Sequence, residues 1–138
     1  MSLRLLIAES DTAMAESYES FFSREGFAVE TAGDGLDCLT RVSRSMPDVM
    51  VLEYELPWGG GDGVLARFRE ESPLLPIAVV LVTCDNSPED LSHEFTPPVV
   101  GCLQMPFRLH ELLEMVREIT DGQPRVQTPE SRYMLAEE

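Results

Sequence analysis

At 138 residues the chain is long enough for one domain with a sizeable hydrophobic core. It carries 25 acidic and 10 basic residues, a net charge of −15, so its surface repels phosphate backbones and we expect no direct nucleic-acid binding. No apolar run approaches the roughly 20 residues that a bilayer span needs, and Glu9 and Asp11 come too early for a signal peptide. We therefore expect a cytoplasmic protein with no membrane contact. All ten basic residues are arginines, which excludes any mechanism that requires a lysine amine.

Short apolar runs alternate with helical patterns from the amino terminus onward. The runs that predict strands cover residues 3–8, 27–31, 49–52, 77–82 and 99–103. Apolar residues at helical spacing predict helices over residues 14–22, 36–42, 63–68 and 109–119. Before the fifth strand, Ser87 as N-cap and Pro88 in the first turn predict a short helix, which Pro97 and Pro98 must end. Strands and helices that alternate in this way indicate a parallel sheet with helices on both faces.

This alternation predicts a single α/β domain over residues 1–120. Residues 121–138 contain few apolar anchors and are predicted to form a polar tail or linker. We expect no DNA-binding or catalytic output domain within the chain. The organisation alone would also suit a flavodoxin-like FMN carrier or a small hydrolase.

The end of the third predicted strand is the most informative position for function. Glu53 closes an apolar run just before a loop rich in proline and glycine, which in a parallel sheet is the edge where ligands bind. The loop after the first strand carries Glu9, Ser10 and Asp11. A phosphate-binding turn would offer glycine, serine or threonine amides without nearby anions, whereas carboxylates suit a hard cation such as Mg²⁺. With Glu55, these residues are predicted to line an acidic pocket that binds Mg²⁺ weakly, if at all.

Five motifs occur in order at suitable intervals: LIAESD at 6–11, PDVMVLEYELP at 47–57, LVT at 81–83, GCLQMPF at 101–107 and ELL at 111–113. Together they resemble response-regulator receiver (CheY-like) domains over about residues 3–120. The resemblance implies a flavodoxin-like, doubly wound sheet of five parallel strands in the order 2-1-3-4-5. It also implies a role in two-component or phosphorelay signalling, with a histidine kinase, phosphotransfer protein or output protein as partner.

The resemblance also assigns roles to individual positions. In the family an aspartate accepts the phosphoryl group, two acids hold Mg²⁺, and a lysine and a threonine bind the phosphoryl oxygens. Here the aspartate is replaced by Glu53, one of the acids by Ser10, the lysine by Met105 and the aromatic switch residue by Cys102, whereas Glu9 and Thr83 are retained. Glutamate carries its oxygens about 1.5 Å too far forward, and a misplacement of about 1 Å can cost a hundredfold in rate. We therefore predict a pseudo-receiver that is neither an enzyme nor phosphorylated at the usual position.

Two interpretations of Glu53 stay open at this point. Its carboxylate could stand in for a phosphorylated aspartate and hold Thr83, or it could be a solvated acid at the edge of a disused site. Ser10 is predicted to be a polar filler or the N-cap of the first helix. The alternatives for the whole chain are a working phosphoacceptor that uses Glu53 and a divalent-metal-dependent hydrolase that uses Glu9, Asp11 and Glu53.

Outside this site, the segment 87–120 is predicted to be the surface for partner docking or homodimer formation. The three cysteines are expected to be buried thiols, with a redox pair of Cys84 and Cys102 at the ends of adjacent strands as the alternative. Trp58 is predicted to lie over the sheet edge, or otherwise to anchor a partner. His93 and His110 are predicted to be surface residues.

Overall fold

A computed structural model describes residues 2–71 and 76–121 of the chain. Its strands are β1 (Arg4–Ala8), β2 (Ala28–Ala32), β3 (Val49–Glu53), β4 (Ala78–Thr83) and β5 (Val99–Gln104). Its helices are α1 (Thr12–Arg24), α2 (Gly35–Ser45), α3 (Gly60–Glu71), a 3-10 helix (Glu89–Glu94) and α4 (Leu109–Thr120). The five strands form one parallel sheet in the order β2-β1-β3-β4-β5, which confirms the predicted order.

Each face of the sheet has its own hydrophobic core, because side chains alternate between faces along a strand. On one face, residues such as Leu6, Leu52 and Leu81 pack with the buried sides of α2 and α3. On the other face, residues such as Ile7 and Val80 pack with α1 and α4. Burial on both faces explains why the central strands read as continuous apolar runs.

The register brings the carboxyl ends of the strands to one edge. Ala8 lies beside Leu52 in the β1–β3 pair, and Glu53 lies beside Val82 in the β3–β4 pair. Thr83 pairs in turn with Gln104 at the end of β5. The loops that carry the candidate site residues therefore meet at this edge.

Two predicted helix starts differ from the structure. α3 begins at Gly60, three residues before the predicted start at Gly63. The short helix is a 3-10 helix that begins at Glu89, after Pro88, and Ser87 is not its N-cap. Ser87 and Asp90 nevertheless exchange hydrogen bonds between backbone amide and side chain, at 3.0 and 3.3 Å, so Ser87 still contributes to the turn.

Neither segment that the structure describes contains a helix long and apolar enough to cross a membrane. The predicted tail begins at Asp121, and its remaining residues, 122–138, lie outside the described part. The domain boundary at residue 120 therefore stays a prediction.

Candidate functional site

The last residue of β3 and the two that follow it contact three different parts of the edge. Glu53 accepts hydrogen bonds from Ser10 in the loop after β1. The hydroxyl of Tyr54 donates to Glu94 in the 3-10 helix at 3.3 Å. Glu55 binds Thr83 and the loop after β4. The turn after β3 therefore ties together segments that are far apart in the sequence.

Glu53 is buried and its carboxylate is bound by Ser10. The residue is only 8% exposed, and its Oε1 accepts from both the backbone amide and the hydroxyl of Ser10 at 2.8 Å. Both interpretations of Glu53 are therefore wrong in part: the side chain is not solvated, and Thr83 donates its hydroxyl to Glu55 instead. The N-cap of α1 is Asp11, so of the two roles predicted for Ser10, polar filler or helix cap, the second is wrong.

Glu9 and Glu53 form a buried pair of acids. Glu9 is 4% exposed, and its Oε2 accepts a hydrogen bond from the Asp11 amide at 3.0 Å. Burial raises the pKa of Glu9 and the hydrogen bond from Asp11 lowers it. With the charge of Glu53 and a hydrogen bond between the two side chains, which also raise it, the pKa of Glu9 comes to about 7. Close to neutral pH, a proton on Glu9 therefore relieves the repulsion between these carboxylates.

This pair is expected to destabilise the protein as the pH rises from about 4.5 to about 7. In the unfolded chain Glu9 ionises near its ordinary pKa of 4.5, whereas in the folded protein it keeps its proton to about 7. The folded state binds more protons in this interval, so the free energy of unfolding falls with rising pH. Between pH 5 and pH 8 the parent should therefore lose about 1–3 kcal/mol of unfolding free energy, because each pKa unit of difference between the two states is worth about 1.4 kcal/mol. The neutral variant Glu9→Gln should not show this loss.

The measurement is urea unfolding of the parent and the variant at pH 5 and pH 8. Glu16→Gln, which removes an exposed carboxylate from the helix that follows Glu9, is the matched control. At each pH, the change in the free energy of unfolding caused by Glu9→Gln is compared with the change caused by Glu16→Gln. If the two changes are equal at pH 5 and also equal at pH 8, the pair has no such role.

Glu55 fills a cluster of hydrogen-bond donors at the end of β4. Thr83, which is fully buried, donates its hydroxyl to Glu55 Oε2 at 2.5 Å. The side-chain amide of Asn86 donates to the same oxygen at 2.8 Å, and the Cys84 amide donates to Oε1 at 3.1 Å. Burial alone would raise the pKa of the Glu55 carboxyl, but the hydrogen bonds from Thr83, Cys84 and Asn86 together lower it. Glu55 is therefore held here as a carboxylate.

Sequence reasoning placed Glu55 in the pocket but missed its partners. The contact with Asn86 joins residues 31 positions apart, and the contact with Thr83 joins residues 28 apart. The sequence held one signal for these partners: Asn86 lies three residues after Thr83, in the loop that follows the fourth strand.

The residues predicted to hold Mg²⁺ do not come together as one site. Asp11 is exposed, and its Oδ1 accepts from the Met14 amide as the cap of α1. Glu9 and Glu53 remain as oxygen donors, but the proton on Glu9 competes with a cation and the Ser10 hydroxyl stands where a third acid would be needed. This donor set does not fit a tight Mg²⁺ site, so weak binding stays a prediction.

In the described part of the chain, a different group brings three candidate metal donors within 4.8 Å of one another: Glu55, Cys84 and Asp85. It includes neither Glu9 nor Glu53. Because the Glu55 oxygens already accept hydrogen bonds, we assign no metal to this group.

Met105 and Cys102 differ in their surroundings. Met105 lines an apolar cavity of about 300 Å³ beside Met14, Tyr18 and Phe107. Its side chain is uncharged and cannot balance the negative charges of Glu9 and Glu53. Cys102 is fully buried in the middle of β5, where it pairs with Leu81.

The cysteines do not form the redox pair that the sequence left open as an alternative to free thiols. Cys84 follows β4, is exposed and donates to Glu55, so the prediction that every cysteine is buried is wrong for this residue. Cys102 lies within β5 and not at its end. All three cysteines fall within the described residues, and no disulfide joins any two of them.

A partly buried ion pair joins the predicted docking surface to α3. Glu94 of the 3-10 helix is 6% exposed and pairs with Arg69 of α3 at 2.8 Å. The side chains of His93 and His110 are 65% and 71% exposed, which confirms their surface positions. The 3-10 helix is therefore fixed to α3 through Arg69, a contact that sequence reasoning missed.

Comparison with known proteins identifies relatives of the whole domain. The chain matches the family described as "Response regulator receiver domain" over residues 5–117. Response regulator MprA of Mycobacterium bovis is 32% identical over 119 residues, which are 86% of this chain and 51% of that protein. MprA of Mycobacterium leprae is 32% identical over 117 residues, which are 85% of this chain and 50% of that protein. The chain spans about half the length of these curated relatives.

Solved structures agree on the fold. A CheY-like response regulator receiver domain protein from Methanospirillum hungatei has a TM-score of 0.80 at 23% identity, over 88% of this chain and 95% of that chain. Chemotaxis response regulator CheY4 of Vibrio cholerae has a TM-score of 0.76 at 21% identity, over 86% and 99%. These likenesses confirm the CheY-like flavodoxin fold.

Proposed function

The chain belongs to the response regulator receiver domain family of two-component signalling, and from this membership we propose that it signals by protein–protein contact without phosphorylation at the usual position. The family match covers residues 5–117, which include every candidate site residue. The replacements at Glu53, Ser10 and Met105 support the proposal, because each one removes a group on which phosphoryl transfer depends.

One observation carries this proposal: the carboxylate of Glu55 accepts hydrogen bonds from the donors at the end of β4. The Thr83 hydroxyl, which in the family binds a phosphoryl oxygen, already donates to Glu55. The amide of Cys84 donates to the same carboxylate. We infer that Glu55 acts as a built-in anion that holds Thr83 in one position, although it carries one negative charge where an acyl phosphate carries nearly two.

Glu53 is a poor candidate for the nucleophile. One of its oxygens accepts two hydrogen bonds from Ser10, which keeps that oxygen away from an incoming phosphoryl group. Phosphoryl transfer depends on positioning and on neutralising the charge of the transferred group. With methionine at position 105 and no lysine in the chain, the cation that would neutralise this charge is missing.

The proposed working surface is the segment 87–120, with the 3-10 helix, β5 and α4. A kinase, phosphotransfer or output protein would dock there, or a second copy of the chain. The Arg69–Glu94 pair supports this assignment, because it ties the 3-10 helix to α3. If Glu55 holds Thr83 in one position, the segment 87–120 keeps one conformation, and a partner would recognise this constant surface.

The test is intact-mass analysis of the chain after incubation with acetyl phosphate and Mg²⁺. We expect no mass increase of one phosphoryl group and no product that hydroxylamine removes. A hydroxylamine-sensitive adduct that disappears in the Glu53→Gln variant would contradict the proposal. It would instead favour the phosphoacceptor that uses Glu53.

A hydrolase and an FMN carrier have less support. The hydrolase would need Glu9, Asp11 and Glu53 around one metal, but Asp11 caps α1. Calorimetric titration with Mg²⁺ or Mn²⁺ should show no binding in the micromolar range. Membership of a family of signalling domains is evidence against an FMN carrier.

A further inference from the structure

The two most exposed large apolar side chains of the described residues lie together. Trp58 is 74% exposed and Leu36 is 66% exposed, whereas the next, Met46, is 46% exposed. With Leu39 and Val64 they line a groove of about 300 Å³ between the start of α2 and the loop before α3. We call this the Trp58 groove. Single exposed apolar residues are ordinary, but a pair that lines one groove indicates a contact surface.

This exposure contradicts one prediction from the sequence. Leu36 is not among the buried residues of α2, whose buried side includes Cys38 and Val42. Trp58 was predicted to lie over the sheet edge, yet its indole points into solvent. The alternative role, an anchor for a partner, agrees with this exposure.

The backbone holds Trp58 in its outward position. Trp58 has a φ of 59°, which is uncommon for a residue with a side chain, and Gly59 and Gly60 follow at 104° and 69°. The Gly35 amide donates to the Pro57 carbonyl at 3.0 Å, and a Cβ at Gly35 would collide with the Trp58 carbonyl oxygen. The loop is thus packed against α2 while the indole is free. A side chain held ready in this way loses little entropy on binding, and tryptophan is enriched among residues that dominate binding energy.

The negative charge of the chain indicates which kind of partner the groove binds. The chain carries −15. Asp34, the N-cap of α2, and Asp62, in the first turn of α3, each precede a glycine that lines the groove, Gly35 and Gly63. Arg67 also lines the groove, but its guanidinium is paired with Glu71 at 2.9 Å. A second copy of this acidic chain would bring like charges together, whereas a basic segment would be complementary.

We propose that the Trp58 groove binds an amphipathic helix of a partner protein, with apolar residues on one side and arginine or lysine beside them. The apolar side packs on Leu36 and Trp58, and the basic residues face the surrounding acids, as in helix-in-groove recognition. The inference rests on the proposed role in protein–protein signalling but not on the state of Glu55 or Glu53. Acetyl phosphate labelling therefore tests the function without affecting this surface.

The experiment uses Trp58 as its own reporter, because it is the only tryptophan in the chain. The probe is a synthetic amphipathic helix of leucine and lysine, titrated into the full chain. We expect a saturable shift of tryptophan emission to shorter wavelength as the indole leaves water. A matched peptide with glutamate in place of every lysine should cause no shift. An absent shift, or an equal shift with both peptides, would overturn the proposal.

Variants locate the binding. With a fluorescently labelled lysine peptide, we expect Leu36→Ser and Trp58→Ala to weaken binding about tenfold or more, as for residues central to an interface. Met46→Ser, which removes an exposed apolar side chain at the other end of α2, is the control and should bind as the parent does. Equal binding by Leu36→Ser and Met46→Ser would mean adsorption by charge alone. A concentration-dependent dimer that Trp58→Ala abolishes would assign the groove to a second copy; either result would contradict the proposal.

Discussion

The Arg69→Ala variant is expected to lose about 3 kcal/mol of unfolding free energy, because it leaves the buried Glu94 carboxylate without its ionic partner. Arg69 also donates to the backbone carbonyls of Glu94 and Thr96 at 3.0 Å and of Pro97 at 3.1 Å. Alanine would leave these acceptors without the guanidinium as well. The midpoint of urea unfolding measures the loss.

Arg67→Ala is the matched control, since Arg67 lies two residues earlier on the same helix. Its pair with Glu71 is more than half exposed on both sides and should contribute no more than about 0.5 kcal/mol. The double variant Arg69→Ala/Glu94→Gln should recover part of the loss, because no unpaired buried charge remains. Equal losses for Arg69→Ala and Arg67→Ala would show that the buried pair does not fix the 3-10 helix.

Restoring the phosphoryl-transfer groups is expected to convert the chain from unlabelled to labelled by acetyl phosphate. The changes Ser10→Asp, Glu53→Asp and Met105→Lys return a metal ligand, a nucleophile of the right length and a cation to the edge. The structure adds a fourth requirement. The hydroxyl of Thr83 already donates a hydrogen bond to Glu55, so Glu55 must be removed before this hydroxyl can bind a phosphoryl oxygen. With Glu55→Ala added to the triple variant, we expect labelling to be about tenfold faster or more, since one positioned donor is worth about that much or more in rate.

The measurement is the rate at which the mass of one phosphoryl group is added, followed for parent, triple and quadruple variants. Glu55→Ala alone is the control and should stay unlabelled, because the nucleophile and cation are still missing. If the triple and quadruple variants are labelled at the same rate, Glu55 does not block Thr83. If the quadruple variant stays unlabelled although it folds, the replaced groups do not explain the loss of chemistry.

Much of the fold follows from local patterns in the sequence. The five apolar runs predict the five strands to within one or two residues at each end. Helical spacing predicts α1, α2 and α4, because burial of one side of a helix needs a repeat of about 3.6 residues. The acidic edge was also predictable, since Glu53 ends an apolar run and parallel strands end together. Helix starts were less so: α3 begins at Gly60 because the preceding residues turn back through positive φ angles.

The sequence by itself determined which groups reach the carboxyl edge: acids at positions 9 and 53, Thr83, and no lysine to balance them. Only the tertiary structure decided how these groups are paired. Ser10 binds Glu53 across 43 residues and Glu55 binds Thr83 across 28, while Trp58 turns outward. The physical reason is that buried polar groups take whichever partners lie within about 3 Å after folding. Those partners depend on loop paths and side-chain rotamers, which no local pattern of residues specifies.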